Sequence, residues 1–135
     1  MLSELKNDIL CVRGNCDTEV DQMVLPFPLL ADYAVILDGR HPIYATHGHV
    51  YGEDNPPPLG DGDILLCGHT HDGQFFPLNI AIRSVWENPS GLLKKDDMYS
   101  IVTSGVGIYG PDMRVGTDAD ITVVEIELTG VKAEP

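Results

Sequence analysis

The run Ile64-Leu65-Leu66-Cys67, closed by Gly68 and followed by His69-Thr70-His71, narrows the folds open to this chain more than any other stretch. Four apolar residues with Asp61-Gly62-Asp63 in front and a glycine behind read as a buried strand entering a tight turn. If the backbone beyond Gly68 stays extended, residues two apart point to the same side, so His69 and His71 face one pocket and Thr70 faces away. Histidine is the commonest neutral nitrogen ligand for divalent metals. Two histidines on a loop are also an ordinary surface feature, so the metal reading depends on other ligands converging there.

The chain has 135 residues, enough for a single domain spanning 1–135 and too few for two. With 43% hydrophobic and 21% charged residues it has the proportions of a globular protein. No run approaches the roughly 18 apolar residues of a membrane-spanning helix. Met1 to Asp8 has neither the basic nor the apolar part of a leader, so the expected location is the cytoplasm, without stable membrane insertion. Net charge is −13, which argues against a nucleic-acid duplex or an anionic membrane surface as partner. A phosphate substrate then needs bound cations to invert the local potential. The cysteines, Cys11, Cys16 and Cys67, have no C-x-x-C spacing and fit neither a disulfide framework nor a zinc knuckle.

In chain order, Leu2 and Leu5 are spaced like the end of a helix, and Ile9-Leu10-Cys11-Val12 reads as a short strand. The polar loop Arg13-Gly14-Asn15-Cys16-Asp17 leads to Thr18-x-x-Asp21, a helix start whose helix stops at Pro26. Tyr33 to Leu37 and Ile43 to Thr46 predict a hairpin turning at Asp38-Gly39, with His41 idle near its tip. Thr46-His47-Gly48-His49 ends the second of these strands. Phe75 to Trp86 predicts an apolar segment with a helix capped by Asn79, placed in the core. Lys94 to Asp97 reads as a turn before a strand from Met98 to Thr103, and Ile121 to Leu128 as a last, half-exposed strand. Gly105-Val106-Gly107-Ile108-Tyr109-Gly110 matches G-x-G-x-x-G in letters, but Pro111-Asp112 follows where a dinucleotide site needs a helix. Asn15, His47/His49 and His69/His71 thus sit on three loops, each after a strand. Sites in open α/β sheets gather at the carboxyl ends of strands, so these loops are expected to share one.

Gly14-Asn15-Cys16-Asp17, Thr46-His47-Gly48-His49 and Gly68-His69-Thr70-His71, in that order, resemble the last three metal motifs of the calcineurin-like metallophosphoesterases. From Ile9 to His71 the chain is most similar to the YfcE-type bacterial phosphodiesterases. From Gly68 to Leu128 it resembles another branch, which carries G-H-T-H-G-G-Q and a later glycine-rich stretch, here Ser104-Gly105-Val106-Gly107, with Arg114-Val115-Gly116-Thr117 beyond. The resemblance implies an α/β fold, part of a two-sheet sandwich flanked by helices that lacks its first βαβ portion. It implies a metal-dependent phosphoesterase acting on a small phosphodiester through a metal-activated water. Asn15, His47 and His69 would bind one metal and His71 a second, incomplete site, with manganese expected first and zinc or iron as alternatives. Cys16, Asp17 and His49 would be catalytic, His49 beside the substrate phosphate.

The departures bear on activity. The family's Asp-x-His and Gly-Asp motifs, which supply carboxylate ligands, have no counterpart before Ile9, and Asp17 or Asp72 would have to stand in. Cys16 replaces the histidine of most members, and a free thiol, with a pKa of about 8.5, is a poorer proton donor near neutral pH than imidazole. The alternatives are a non-catalytic metal-binding or protein-binding scaffold of the same fold, or an inactive fragment that self-associates through an exposed sheet edge.

Overall fold

The computed structural model describes residues 4, 8–30, 32–36, 41–52, 54–60 and 62–126. Cys11–Val12 (β1) and Leu29–Leu30 (β2) pair in parallel as a small sheet. A second, mixed sheet is built from Tyr33–Val35 (β3), Ile43–Thr46 (β4), Ile64–Cys67 (β5), Gly91–Lys95 (β6) and Met98–Val102 (β7), in the order β3-β4-β5-β7-β6. Within it β4, β5 and β7 run parallel, while β3 and β6 close the two sides antiparallel. The carboxyl ends of the three central strands therefore open on one edge, which fixes where their following loops meet.

The apolar run of β5 forms the strand its sequence predicts. Leu65 and Cys67 are buried on one face, beside their register partners Ser100 and Val102, and Leu65 and Ser100 are wholly inaccessible. Asn88 caps that face, its amide donating to the carbonyls of Gly91 and Ser100. On the opposite face Ala45, Leu66 and Ile101 line an apolar cleft of about 460 Å³ shared with Val12 and Val124.

Glu19–Val24 forms the expected first helix (α1), with the Thr18 N–H and hydroxyl both donating to Asp21 Oδ2 at 2.7 Å. The hairpin of β3 and β4 pairs as predicted, Tyr33 opposite Thr46, whereas Leu2, Leu5 and the Asp38-Gly39-Arg40 tip lie outside the described residues. No helix among the described residues is long and apolar enough to cross a membrane.

Four expectations need correction. The second helix (α2) is Leu78–Ile82, capped by Pro77, and Asn79 lies inside it with its amide donating to the Gly116 carbonyl at 3.4 Å. None of its residues is buried, so the apolar segment is not core. β6 was not expected, because Lys94-Lys95 reads as a turn. The chain reverses later, at Asp96, whose φ is 52°. The last strand does not form over 121–126, where Ile121 and Val123 are 81% and 82% exposed, and Glu127 and Leu128 lie outside the described residues. Alternation supplies a face to bury but not a neighbouring strand. Asp120, just before it, is instead bound to the Thr103 hydroxyl and the Gly105 N–H.

Candidate metal centre

Three strand ends deliver the site. The loops after β1, β4 and β5 bring Asn15, Cys16, Asp17, His47, His69 and His71 to the wall of one cavity of about 520 Å³. His49 does not line it. Its ring lies 5.0 Å from that of His47 and 6.1 Å from that of His69, and the Nδ1 atoms of His47 and His49 are 3.1 Å apart. At that distance one imidazole donates and the other accepts, which leaves the Nε2 of His47 for another partner.

Each loop has a local reason for its shape. Asp17 accepts the Gly14 N–H at 2.6 Å and donates its own N–H to the Gly14 carbonyl at 3.3 Å, closing a tight polar turn. Gly14 is buried because His47 lies on it: a Cβ there would come within 2.9 Å of the imidazole Cδ2 and 3.0 Å of Nε2. The Gly68 N–H donates to the His47 carbonyl at 3.0 Å, joining the ends of β4 and β5.

His69 and His71 reach the same cavity by a route other than the extended one. His69 has φ 75° and His71 φ 52°, Thr70 is right-handed between them, and His71–Gly73 is a 3₁₀ turn. Asp72 (φ 48°) and Gln74 (φ 57°) continue the left-handed series. Non-glycine residues in this region cost roughly 1–3 kcal/mol each and persist only where surrounding structure holds them. Here the holding groups are visible. The Thr70 hydroxyl donates to the Pro89 carbonyl at 2.5 Å. The buried Gln74 amide donates to the carbonyls of Tyr109 and Pro111 at 2.7 and 2.9 Å and accepts the Tyr109 N–H. Arg114 donates to the carbonyls of His71, Ser104, Gly105, Gly107 and Asp118. The loop after β7 is thereby stitched to the histidine turn and adds Ile108 and Tyr109 to the cavity.

Three of the histidines, His47, His69 and His71, are shifted toward the neutral form. Partial burial, then the charges of His69 and His49, push His47 down to about 4, with Asp17 opposing. His69 is lowered by burial and its neighbouring histidines, and His71 by burial and the Arg114 guanidinium. Neutral imidazole is the form that coordinates a cation. The buried Nδ1 of His71 has no hydrogen-bond partner among the described residues, so it too has a lone pair or a proton to place. Asn15, His47, His69 and His71 are nitrogen and oxygen donors of the kind divalent cations take, but they are gathered rather than closed. Among the described residues no three or more His, Cys, Asp or Glu side chains stand close enough together to hold a metal ion. The contact of His47 with His49 keeps one imidazole nitrogen engaged with a neighbour. Of the two stand-in carboxylates, Asp17 lines the cavity, whereas Asp72 turns away to Arg83, both of its oxygens 3.4 Å from Nη2.

Several residues of the cavity, and Arg114 beside it, were not singled out from sequence. Gln74 and Arg114 bind backbone carbonyls and leave no spacing signature, although both fall in the stretches that resemble the second branch. Leu78, Ile82 and Trp86 form an apolar side of the cavity that reads in sequence like core.

No protein-family model matches the chain. It is 46% identical over 105 residues to the phosphodiesterase YfcE of Escherichia coli K12, covering 70% of this chain and 57% of that protein. An uncharacterized metallophosphoesterase of Aquifex aeolicus is 37% identical over 70 residues, covering 50% of this chain and 27% of the relative. The bovine transmembrane protein with metallophosphoesterase domain is 40% identical over 63 residues, 46% of this chain and 14% of that protein. The solved structure of the E. coli phosphoesterase YfcE superposes with a TM-score of 0.57 at 32% identity, over 75% of this chain and 46% of that one. The chain spans about half the length of YfcE, and over that span it has the same metallophosphoesterase-type α/β fold. The chain is related, by sequence and by fold, to the calcineurin-like metallophosphoesterases, YfcE among them.

Proposed function

We propose that the chain hydrolyses a phosphodiester with the help of a divalent metal held by Asn15, His47, His69 and His71. The observation that carries this reading is the meeting of those residues, from three loops far apart in sequence, at one cavity. A bound divalent cation supplies Lewis-acid polarisation of a phosphoryl oxygen and a water acidic enough to attack phosphorus near neutral pH. The chain's own groups do the rest. The low pKa of His47 keeps its lone pair available, and Asp17 holds the loop that carries Asn15 and Cys16. Cys16 is exposed at the cavity wall, where its thiol can protonate a leaving alkoxide, and His49, outside the cavity, engages the Nδ1 of His47. Manganese is the metal we expect first, with zinc or iron serving the same nitrogen and oxygen donors.

A second reading, a non-catalytic scaffold of the same fold, is favoured by the absence of a closed set of three or more His, Cys, Asp or Glu ligands among the described residues. One experiment separates the two: metal stoichiometry on protein reloaded with manganese or zinc, alongside hydrolysis of bis(p-nitrophenyl) phosphate. Bound metal with turnover that falls at least about 100-fold in His69→Ala supports the enzyme. Turnover no higher than in His69→Ala leaves the scaffold.

A further inference from the structure

The histidines occupy only part of the cavity. At about 520 Å³ it has the size of pockets that take whole small molecules, roughly 300–1,000 Å³, rather than a phosphoryl group alone. Its remaining wall is apolar and comes from two places: Leu78, Ile82 and Trp86 from α2 and its following turn, and Ile108 and Tyr109 from the loop after β7.

These side chains are not core. Leu78 is 42% exposed, Ile108 48% and Tyr109 63%, and no residue of α2 is buried. The backbone that carries them is nevertheless tied down at two points. Tyr109 is bound through its N–H and carbonyl to Gln74, and α2 is anchored through Asn79 to Gly116. Their rings adjoin the metal-binding side chains: Trp86 meets His69 edge-on at 6.1 Å and 73°, and Tyr109 lies over His71 at 6.4 Å and 28°. A group esterified to a phosphate at the histidines is therefore within reach of both aromatic rings.

Among the described residues the cations nearest this wall are already engaged. Arg83, beside α2, is paired with Asp72, and Arg114 directs its guanidinium at carbonyls. A second phosphate or a carboxylate would have to displace one of these bonds, whereas an apolar group would find an apolar surface.

We propose that the ester group this site accepts is uncharged, apolar and about the size of one aromatic ring, and that it seats against Leu78, Ile82, Trp86, Ile108 and Tyr109. This rests on the phosphoesterase reading and adds the substrate class to it. The wall determines affinity for the ester group and takes no part in the attack on phosphorus.

Calorimetric titration of the zinc-loaded chain with methylphosphonate, phenylphosphonate and phenol tests it. Phenylphosphonate should bind about ten- to a hundredfold more tightly than methylphosphonate, the scale expected for burying one phenyl group. Ile108→Ser and, separately, Ile82→Ser should shrink that ratio toward one while leaving methylphosphonate affinity unchanged. Quenching of Trp86, the only tryptophan, should track phenylphosphonate alone. Equal affinity for the two phosphonates overturns the apolar subsite and leaves the phosphoesterase reading standing. Phenol binding as tightly as phenylphosphonate also overturns it, because the recess would then be unconnected with the phosphate. If neither phosphonate binds and bis(p-nitrophenyl) phosphate is not cleaved, the phosphoesterase reading itself falls and takes the subsite with it.

Discussion

Gly14 has no side chain because the imidazole of His47 occupies the place a Cβ would take. Gly14→Ala should therefore keep the fold but push His47 off its position, lowering the phosphodiester turnover proposed above at least about tenfold with little change in melting temperature. Activity and thermal unfolding measured on the same preparation check this. The histidines also set a pH dependence. An unfolded imidazole titrates near 6.5, whereas His47 in the folded, metal-free chain titrates at about 4, and His69 and His71 are lowered as well. As pH falls through 6.5 the unfolded chain takes up protons first, so stability held above that pH is lost progressively down to about 4 and levels off below. Asp120 adds a lower window. Its pKa is depressed by its bond from Thr103, so its contribution persists above the ordinary carboxylate range and disappears as pH drops through it. Melting temperatures of the metal-free protein between pH 8 and 3 should show the upper decline, and His47→Asn should flatten part of it. At this scale the sequence was informative about which residues meet. Asn15, His47, His69 and His71 line one cavity, each on the loop that follows a strand, although β1 belongs to a different sheet from β4 and β5. It could not show Arg114 or Gln74 at work, since a side chain that binds backbone carbonyls has no patterned partner.

The element that carries most of the site's strain is the turn His69–Gln74. Four of its left-handed residues, His69, His71, Asp72 and Gln74, are not glycines, so the conformation is held by the bonds that Thr70, Gln74 and Arg114 make between the turn and other segments rather than chosen locally. An extended segment would also point both histidines one way, which is why the sequence led to the right cavity by the wrong backbone. Gly73 is the one position in the turn where nothing else fits: φ is 72°, and a Cβ would lie 2.5 Å from the Asn79 Cα. Gly73→Ala should cost about 1–3 kcal/mol through overpacking against backbone, measured by denaturant unfolding. α2 shows the opposite limit of sequence reading. Leu78, Ile82 and Trp86 follow the same apolar spacing whether they face a core or a cavity, and only the tertiary placement tells the two apart.

At the scale of the molecule, the parallel arrangement of β4, β5 and β7 brings the histidine loops and the loop after β7 to one edge, while β1 of the small sheet leads to Asn15, Cys16 and Asp17, and these strands were legible from short apolar runs each ending in a polar loop. The last strand was not, because pairing depends on a neighbour that alternation cannot specify. β6 was hidden for the converse reason: its lysines read as solvent-exposed turn, although charged residues suit an edge strand. The edges of the five-stranded sheet are the three-residue β3 and the lysine-bearing β6, while a wide apolar surface lies on the face lined by Leu66 and Ile101.

The stitching of the loop after β7 has one more consequence. The N–H of Gly105 is held by Asp120, that of Tyr109 by the side chain of Gln74, that of Val115 by the Gln74 carbonyl and that of Phe76 by the Val115 carbonyl. Of these four amides only that of Tyr109 ends on the side chain of Gln74; that of Val115 ends on its backbone carbonyl, which an alanine keeps. In hydrogen–deuterium exchange Gln74→Ala should release the Tyr109 amide, while those of Gly105, β5 and β7 keep their protection.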